Sequence, residues 1–181
     1  IGTRLAIGFA IVLALSIIST SFALMNVRSN AEATKHMLLS PLAKERLVSD
    51  WYVLTYSAIA RTALIARSVD ESLSVTFADV IADSSKKGSV TIKKVEALLV
   101  ADQEKSIYQS IIEMRAKYQA SKELVMKAKA GGQAEEAQRI FNDAFMPAAK
   151  GYESRVLELL ALERKAIDDI GHAIESANDR S

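Results

Sequence analysis

The chain begins with a long uncharged segment and continues as a series of amphipathic helical patterns. Residues 5–27 contain no charged side chain and are flanked by Arg4 and Arg28. At about 1.5 Å per residue, a helix of this length crosses a hydrocarbon core of about 30 Å. Hydroxyl groups within it can bond to carbonyls one turn back and need not face lipid unpaired. We therefore predict a transmembrane helix over residues 1–27 and a separate domain over residues 28–181.

A cleaved signal peptide is the alternative for this segment. Ser21, Phe22 and Ala23 offer the small-residue spacing of a cleavage site. The apolar stretch is longer than a usual signal core and leads directly into a polar helical pattern, which favours the membrane span. A single basic residue, Arg4, precedes the span, so the positive-inside rule gives little information on its orientation.

The first two helical patterns follow the span directly. The first continues out of the membrane to about residue 68, and Pro41 is expected to kink it. Acidic residues at 70–72 predict a corner and a cap for the next helix. The second pattern covers residues 72–100, and Gly88 marks its weakest point because glycine costs about 1 kcal/mol in a helix interior.

The third and fourth patterns complete the domain. Asp102 is expected to cap the third helix, which ends at Gly131 and Gly132. The fourth runs from about residue 133 to beyond residue 177, with a bend expected at Pro147, and should lead into a second span. One long helix, two shorter ones and another long one predict an all-α, antiparallel up-down four-helix bundle. Its first helix is continuous with the N-terminal transmembrane helix.

Small and apolar side chains recur within each pattern at steps of three and four, which predicts the positions that face the core. On the four helices in order these positions are Val48, Trp51, Thr55, Ala58, Thr62, Ile65 and Val69; Leu73, Phe77, Val80, Ser84, Gly88, Thr91, Val95 and Leu98; Ile107, Ile111, Met114, Tyr118, Ser121, Val125 and Ala128; and Phe141, Phe145, Ala148, Tyr152, Val156, Leu159, Leu162, Ala166, Ile170 and Ala173.

Composition narrows the class of protein. The chain has two prolines, seven glycines and few aromatic residues, which favours long helices over sheet. Its net charge is +1 with acids and bases interspersed, so we expect no nucleic-acid partner. It has no cysteine, which excludes disulfides and thiolate metal sites.

Four segments resemble the N-terminal part of bacterial methyl-accepting chemotaxis proteins with a four-helix-bundle ligand-binding domain. They are IGTRLAIGFAIVLALSIIS at the start, LTYSAIARTALIARS at 54–68, IYQSIIEMRAKYQASKELVMKAKAGG at 107–132 and EEAQRIFNDAFMPAAKGYESRVLELLALER at 135–164. The resemblance implies a sensor in the inner membrane, with the bundle in the periplasm and a homodimer or ligand-dependent oligomer as its assembly. It also implies that a second span, a HAMP linker and a signalling coiled coil follow.

Polar and small residues interrupt the apolar positions at one depth of the predicted bundle. Counting from the corners near residues 70 and 131 brings together Thr55, Ser84, Gly88, Thr91, Arg115, Tyr118 and Tyr152. A buried arginine is unfavourable without a partner, and no acid occupies a core-facing position at this depth. We therefore predict a site for a small carboxylate, a di- or tricarboxylate, with Arg115 as the anion-binding group. The alternative is that Arg115 reaches solvent and pairs with a surface glutamate.

A second predicted site lies between subunits. In the best-known receptors that the chain resembles, the ligand is held between two subunits by arginines of the first helix and a hydroxyl of the fourth. Arg61, Arg67 and Tyr56 lie in the corresponding region, on a face other than the core-facing one. The familiar triple-arginine spacing is absent, and no threonine occurs near Pro147, which counts against this second site.

Other functions have weaker support. Asp168, Asp169 and His172 have the spacing of a helical metal pair, but a di-metal bundle needs two such motifs, so we expect no metal or other cofactor. Lys122, Lys127, Lys129, Glu135 and Glu136 have the pattern of solvated faces. No nucleophile motif or phosphate loop is present, so we expect no catalysis. The sensor of a histidine kinase or cyclase, and a ligand-free membrane-tethered structural bundle, remain alternatives to a chemotaxis receptor.

Overall fold

The computed structural model describes the backbone of residues 2–70 and 72–178, and the side chains of residues 39–70 and 72–177 with Ser16, Ser19, Thr20 and Ser21. Every regular element in these ranges is helical, which confirms the predicted all-α four-helix class. The elements are α1 (Gly2–Arg67), α2 (Leu73–Thr76), α3 (Ala78–Leu98), α4 (Asp102–Ala130), α5 (Ala134–Ile140), a π-helical turn (Phe141–Phe145) and α6 (Met146–Asn178).

The chain divides into two compact units, one of Pro41–Asp169 and one of Ile1–Ser40 with Ile170–Ser181. In the second unit, the Thr20 hydroxyl donates to the Ser16 carbonyl at 2.8 Å, as expected for a hydroxyl inside a helix. No helix in the described part of the chain combines the length and hydropathy of a membrane crossing. Nearly all side chains of residues 5–27 lie outside the described residues, so the span stays a prediction.

The unit Pro41–Asp169 has a continuous apolar core from all four helical segments. Trp51 and Ile65 of α1, Ile111 of α4, and Phe145 and Leu159 of the last segment are each at most 1% exposed. Fully burying a side chain of this size stabilises the fold by about 1.5–3 kcal/mol. The predicted core positions of α4 are confirmed, because six of the seven are buried and Met114 is half-buried.

The corner between the first two helices forms where the acidic residues predict it. The N–H of Asp70 donates to the Ser68 hydroxyl at 2.9 Å, and the N–H of Ser72 donates to an Asp70 carboxylate oxygen at 2.9 Å. The Lys129 ammonium donates to the Ser68 carbonyl, which places a cation beyond the C-terminal end of α1. The predicted core position Val69 is wrong, since it lies in this corner with 98% of its surface exposed.

The second helix differs from its prediction in where it breaks. The interruption falls at Phe77, between α2 and α3, and α3 runs unbroken through Gly88. Val95 is buried as predicted, and Ser84 and Gly88 are half-buried. Two predicted positions are wrong by one residue. Ile92 is buried where Thr91 is only half-buried, and Ile81 is half-buried where Val80 is exposed.

The start of α4 is capped by a different residue from the one predicted. Asp102 is the first helical residue, and its side chain makes no capping hydrogen bond in the described structure. Glu104 accepts the N–H groups of Val100 at 2.8 Å and Ala101 at 3.0 Å through one carboxylate oxygen. An acid at the third helical position satisfies backbone donors in this way and interacts favourably with the helix dipole.

The end of α4 is a glycine turn, and the last helical segment contains a π-helical turn before Pro147. Gly132 has φ +70°, and the bonds from its N–H to Lys129 O at 3.1 Å and from Gln133 N–H to Ala128 O at 2.9 Å form a Schellman motif. The predicted turn is therefore confirmed. Pro147 follows the π-helical turn, whose wider ladder accommodates a residue that lacks an N–H and crowds the preceding turn.

Candidate functional site

A cavity of about 70 Å³ lies among α1, α3, α4 and α6. Residues of α1, α3 and α4 supply most of its lining and α6 supplies Tyr152. The lining residues are Trp51, Leu54, Thr55, Ala58, Arg61, Ile81, Ser84, Ser85, Gly88, Ile92, Arg115, Tyr118, Gln119, Lys122 and Tyr152.

The cavity brings together six of the seven residues predicted for the site inside the bundle. Thr55, Ser84, Gly88, Arg115, Tyr118 and Tyr152 all line it. Thr91 does not, because the phase of α3 directs the neighbouring Ile92 to the cavity instead. A sequence count from the two corners therefore gives the correct depth on each helix, and on α3 it misses the inward-facing residue by one position at Thr91.

The residues predicted for a site between subunits are separated in the structure. Arg61 lines the cavity, where one guanidinium nitrogen lies 3.4 Å from the Ser84 hydroxyl. Arg67 instead places its guanidinium 5.0 Å from the centre of the Phe141 ring. Tyr56 lies outside the cavity lining and packs against the Tyr52 ring at 6.2 Å. The prediction that Arg61 lies on a face away from the core is therefore wrong.

Three cationic side chains, Arg61, Arg115 and Lys122, line the cavity, and its lining contains no acid. None of the three forms an ion pair with any residue that the structure describes. Burial lowers the pKa of Lys122, and the charge of Arg61 lowers it further. The cavity is therefore a region of concentrated positive charge. The interpretation of Lys122 as a solvated surface residue is wrong.

Tyr118 places a buried hydroxyl without a hydrogen-bond partner at the cavity. Its side chain is 5% exposed, and its hydroxyl has no partner among the described residues. Thr62 lies near this hydroxyl, and its own hydroxyl donates to the Ala58 carbonyl at 2.9 Å. Burial raises the pKa of Tyr118 to about 12, so it stays protonated at neutral pH and can donate a hydrogen bond.

Tyr152 is fixed by its neighbours. Its hydroxyl oxygen accepts a bond from the Trp51 indole N–H at 2.6 Å, and its ring lies 5.3 Å from that of Tyr118. Burial raises the pKa of Tyr152 as well, so it too remains a neutral phenol. The two phenols and the indole form a rigid aromatic wall on one side of the cations.

Glycine at position 88 keeps the cavity open on the α3 side. A Cβ atom placed there meets no atom within 4 Å, so the glycine is not required by close packing. Because Gly88 has no side chain, the space beside Ser84 and Arg115 in the cavity stays open. Sequence reasoning missed six lining residues, Leu54, Ile81, Ser85, Ile92, Gln119 and Lys122. Among them, Leu54, Ser85 and Gln119 lie next to predicted positions and carry no distinguishing sequence signal.

The chemistry of this lining suits an anion. Guanidinium groups bind carboxylates in a bidentate geometry, and a phenol hydroxyl adds a neutral donor. Asp168, Asp169 and His172 do not form a metal cluster, and no group of three or more metal-binding side chains occurs in the part of the chain that the structure describes.

Comparison with known proteins supports the fold and gives no information on the ligand. Residues 1–176 match a protein family described as a four helix bundle sensory module for signal transduction. The matched range contains every cavity residue and nearly all of α6. No curated protein sequence matches the chain.

Proposed function

We propose that this chain, which belongs to the four-helix-bundle sensory family of methyl-accepting chemotaxis proteins, senses a small organic acid in the cavity among α1, α3, α4 and α6. In this proposal the bundle lies in the periplasm, and residues 5–27 anchor it in the inner membrane. The ligand is an attractant or repellent whose carboxylate binds Arg115, while Arg61 and Lys122 attract its negative charge.

The observation that carries the proposal is the charge of the cavity. Arg61, Arg115 and Lys122 converge on it without an acid in its lining or an ion pair to the rest of the described structure. Clustered cations repel one another, so the empty bundle is stabilised by any anion that enters. The buried Tyr118 hydroxyl, which has no partner, supplies a further donor for a ligand oxygen.

The volume of the cavity limits the ligand. A water molecule needs about 10–15 Å³ of space by this measure, so 70 Å³ accommodates a handful of non-hydrogen atoms before any helix moves. A small dicarboxylate therefore fits the cavity better than a tricarboxylate does. We expect larger acids to bind only if α3 moves outward, which would reduce their affinity.

Signalling follows from differential binding. Ligand contacts from α1, α3, α4 and α6 favour one packing of these helices, and a difference in affinity of about 1–3 kcal/mol is typical for such coupling. Tyr152 is the only residue of α6 in the cavity lining among the residues that the structure describes, and its bond to Trp51 of α1 connects the two long helices. We infer that the ligand changes the position of α6 relative to α1.

Isothermal titration of the full chain with a panel of mono-, di- and tricarboxylates tests the proposal. We expect a dicarboxylate to bind, and Arg115→Ala to weaken its binding by at least tenfold. Arg115→Lys should recover only part of the loss, because an ammonium cannot bind a carboxylate in the bidentate manner. Arg139→Ala is the matched control, since Arg139 pairs with Glu136 at 2.6 Å outside the cavity.

Two results would overturn the proposal. Equal binding of the dicarboxylate to the wild type and to Arg115→Ala would place the ligand elsewhere. A panel in which only neutral or cationic compounds bind would contradict the charge argument.

We further propose that the chain assembles as a homodimer through α1. Leu42, Val53 and Leu64 are 46%, 58% and 52% exposed, and they follow one another at steps of 11 residues. Eleven residues are close to three full helical turns, so the three side chains lie on one face of α1. A row of exposed apolar residues on one helix suits packing against the same row of a second copy. Sedimentation of Val53→Glu tests this, and an unchanged dimer population would contradict it.

A further inference from the structure

A buried cluster of charged residues joins three helices of the unit Pro41–Asp169 and shares no residue with the cavity. It consists of Lys44 on α1, Glu104 on α4 and Glu163 on α6. The Lys44 ammonium contacts Glu104 and lies 3.3 Å from a carboxylate oxygen of Glu163. All three side chains are at most 10% exposed. The cluster therefore lies where α6 meets α1 and α4.

The carboxylates of Glu104 and Glu163 accept different numbers of hydrogen bonds. Glu104 accepts the N–H groups of Val100 and Ala101 in addition to its contact with Lys44. Glu163 is 1% exposed, and neither of its carboxylate oxygens accepts a hydrogen bond in the described structure. A negative charge on Glu163 is consequently much less well compensated than one on Glu104.

The charges of the cluster do not balance when both acids are ionised. One ammonium then faces two carboxylates, which leaves one net negative charge in a buried position, and this is unfavourable. The charged groups that face Glu163 are Lys44 from α1 and Glu104 from α4. Glu45 and Arg164 pair with each other at 2.9 Å and supply no further cation. Adding one proton to the cluster makes it neutral.

We propose that Glu163 is a proton-binding site that keeps α6 packed against α1 and α4, and that loss of its proton loosens this packing. Burial raises the pKa of Glu163 above its ordinary value, Lys44 opposes this change, and Glu104 adds to it. The pKa of Lys44 is raised in spite of its burial, because Glu104 and Glu163 lie beside it, so Lys44 stays charged.

This arrangement gives the stability of the bundle a definite pH dependence. A carboxyl group whose pKa is higher in the folded than in the unfolded chain favours folding below its unfolded value, here 4.5. That contribution is lost as the pH rises through the raised pKa of the folded state. The packing of α6 should therefore loosen as the pH rises through the raised pKa of Glu163. A chain that senses an organic acid in the cavity would then also respond to pH, through a residue outside the cavity.

Unfolding of the full chain at a series of pH values tests the proposal through Glu163→Gln, which mimics the protonated acid. Above pH 4.5 the ratio of folded to unfolded wild type should fall relative to the variant, by up to tenfold for each pH unit. The difference should level off once Glu163 is fully ionised. Glu158→Gln, on the same helix but about half exposed, is the matched control and should follow the wild type.

A direct titration of the wild type keeps the test valid if Glu163→Gln does not fold. The ¹³C resonance of the Glu163 carboxyl carbon, assigned by its absence in a variant that does fold, such as Glu163→Met, should titrate above pH 4.5. A midpoint at or below that value would overturn the proposal. Parallel stability profiles of the wild type and Glu163→Gln across this range would do the same.

Discussion

The indole Nε1 of Trp51 on α1 donates a hydrogen bond of 2.6 Å to the phenol oxygen of Tyr152 on α6. Both side chains are at most 4% exposed, so the bond lies in the interior of the bundle. The bond connects two helices in the core and fixes the phenol that borders the cavity. It therefore contributes to stability and to the shape of the candidate site.

Removing the acceptor of this bond should destabilise the bundle. Tyr152→Phe leaves the Trp51 N–H unpaired in the core, and we expect a loss of about 1–3 kcal/mol in the free energy of unfolding, measured with urea. Tyr52→Phe is the matched control, because the Tyr52 hydroxyl is half-buried and lies 3.3 Å from Glu153, where water can replace it. Equal losses in the two variants would contradict the structural role of the Trp51 bond.

Alanine at position 88 should stabilise the fold and weaken ligand binding together. Alanine is favoured over glycine in a helix interior by about 1 kcal/mol, and the added Cβ meets no neighbouring atom. The same Cβ narrows the cavity that Gly88 lines. Thermal unfolding measures the first effect, and emission of Trp51, the single tryptophan of the chain, measures ligand binding.

Gly171→Ala is the control for this pair of effects. Gly171 lies in α6, its added Cβ meets no atom within 4 Å, and it does not line the cavity. We expect the same gain in stability without a change in ligand affinity. Equal ligand affinity for wild type and Gly88→Ala would place the ligand outside this cavity.

Two leucines of α6 should respond very differently to truncation. Leu159 is fully buried and Leu157 is 40% exposed. Leu159→Ala removes core contacts and leaves a cavity, at a cost of about 2–5 kcal/mol. Leu157→Ala should change the free energy of unfolding by only about 0.5 kcal/mol, as is usual on the surface. Denaturant unfolding of both variants tests the orientation of α6, and a reversed order would contradict it.

Glu104 should give the bundle an acid-sensitive contribution, opposite in sign to that of Glu163. Burial acts to raise its pKa, but bonds from Lys44 and from the Val100 and Ala101 N–H groups outweigh it and lower the pKa below 4.5. Stability from this group is therefore present above pH 4.5 and is lost as the pH falls through the lowered value.

The measurement is the unfolding free energy of Glu104→Gln between neutral and acidic pH. At neutral pH we expect a loss of about 1.5–3 kcal/mol, typical of a hydrogen bond to a charged group, and the difference from wild type should shrink on acidification. Asp102→Asn, at the first residue of the same helix but without a side-chain capping bond, should show little of this behaviour. A pH-independent loss in Glu104→Gln would contradict the assignment.

The sequence predicts α4 well because its apolar pattern is uninterrupted. Ile107, Ile111, Tyr118 and Val125 recur at steps of four, seven and seven residues and are all buried. On α3 the same reasoning selects Thr91 in place of Ile92, because steps of three and of four residues after Gly88 both fit a helical period of 3.6. Periodicity therefore gives the inward-facing residue of a helix only to within one position.

Charged residues of the interior were harder to predict. Lys122, Arg61 and Glu163 each have the pattern of a surface charge, because long charged side chains usually reach solvent. The structure buries or half-buries all three, two at the cavity and one beside Lys44. Such positions depend on which opposing side chains share the space, and a single helix pattern does not contain that information.

The π-helical turn at Phe141–Phe145 explains how the last helical segment keeps one face inward. Ala137, Phe141, Phe145 and Ala149 are all fully buried, and they follow one another at three successive steps of four residues. In a regular α-helix each such step rotates the side chain by about 40°, so the fourth residue would face about 120° away from the first. The wider turn absorbs this rotation, and a run of fours in a sequence is thus a readable signal for a local change of helical pitch.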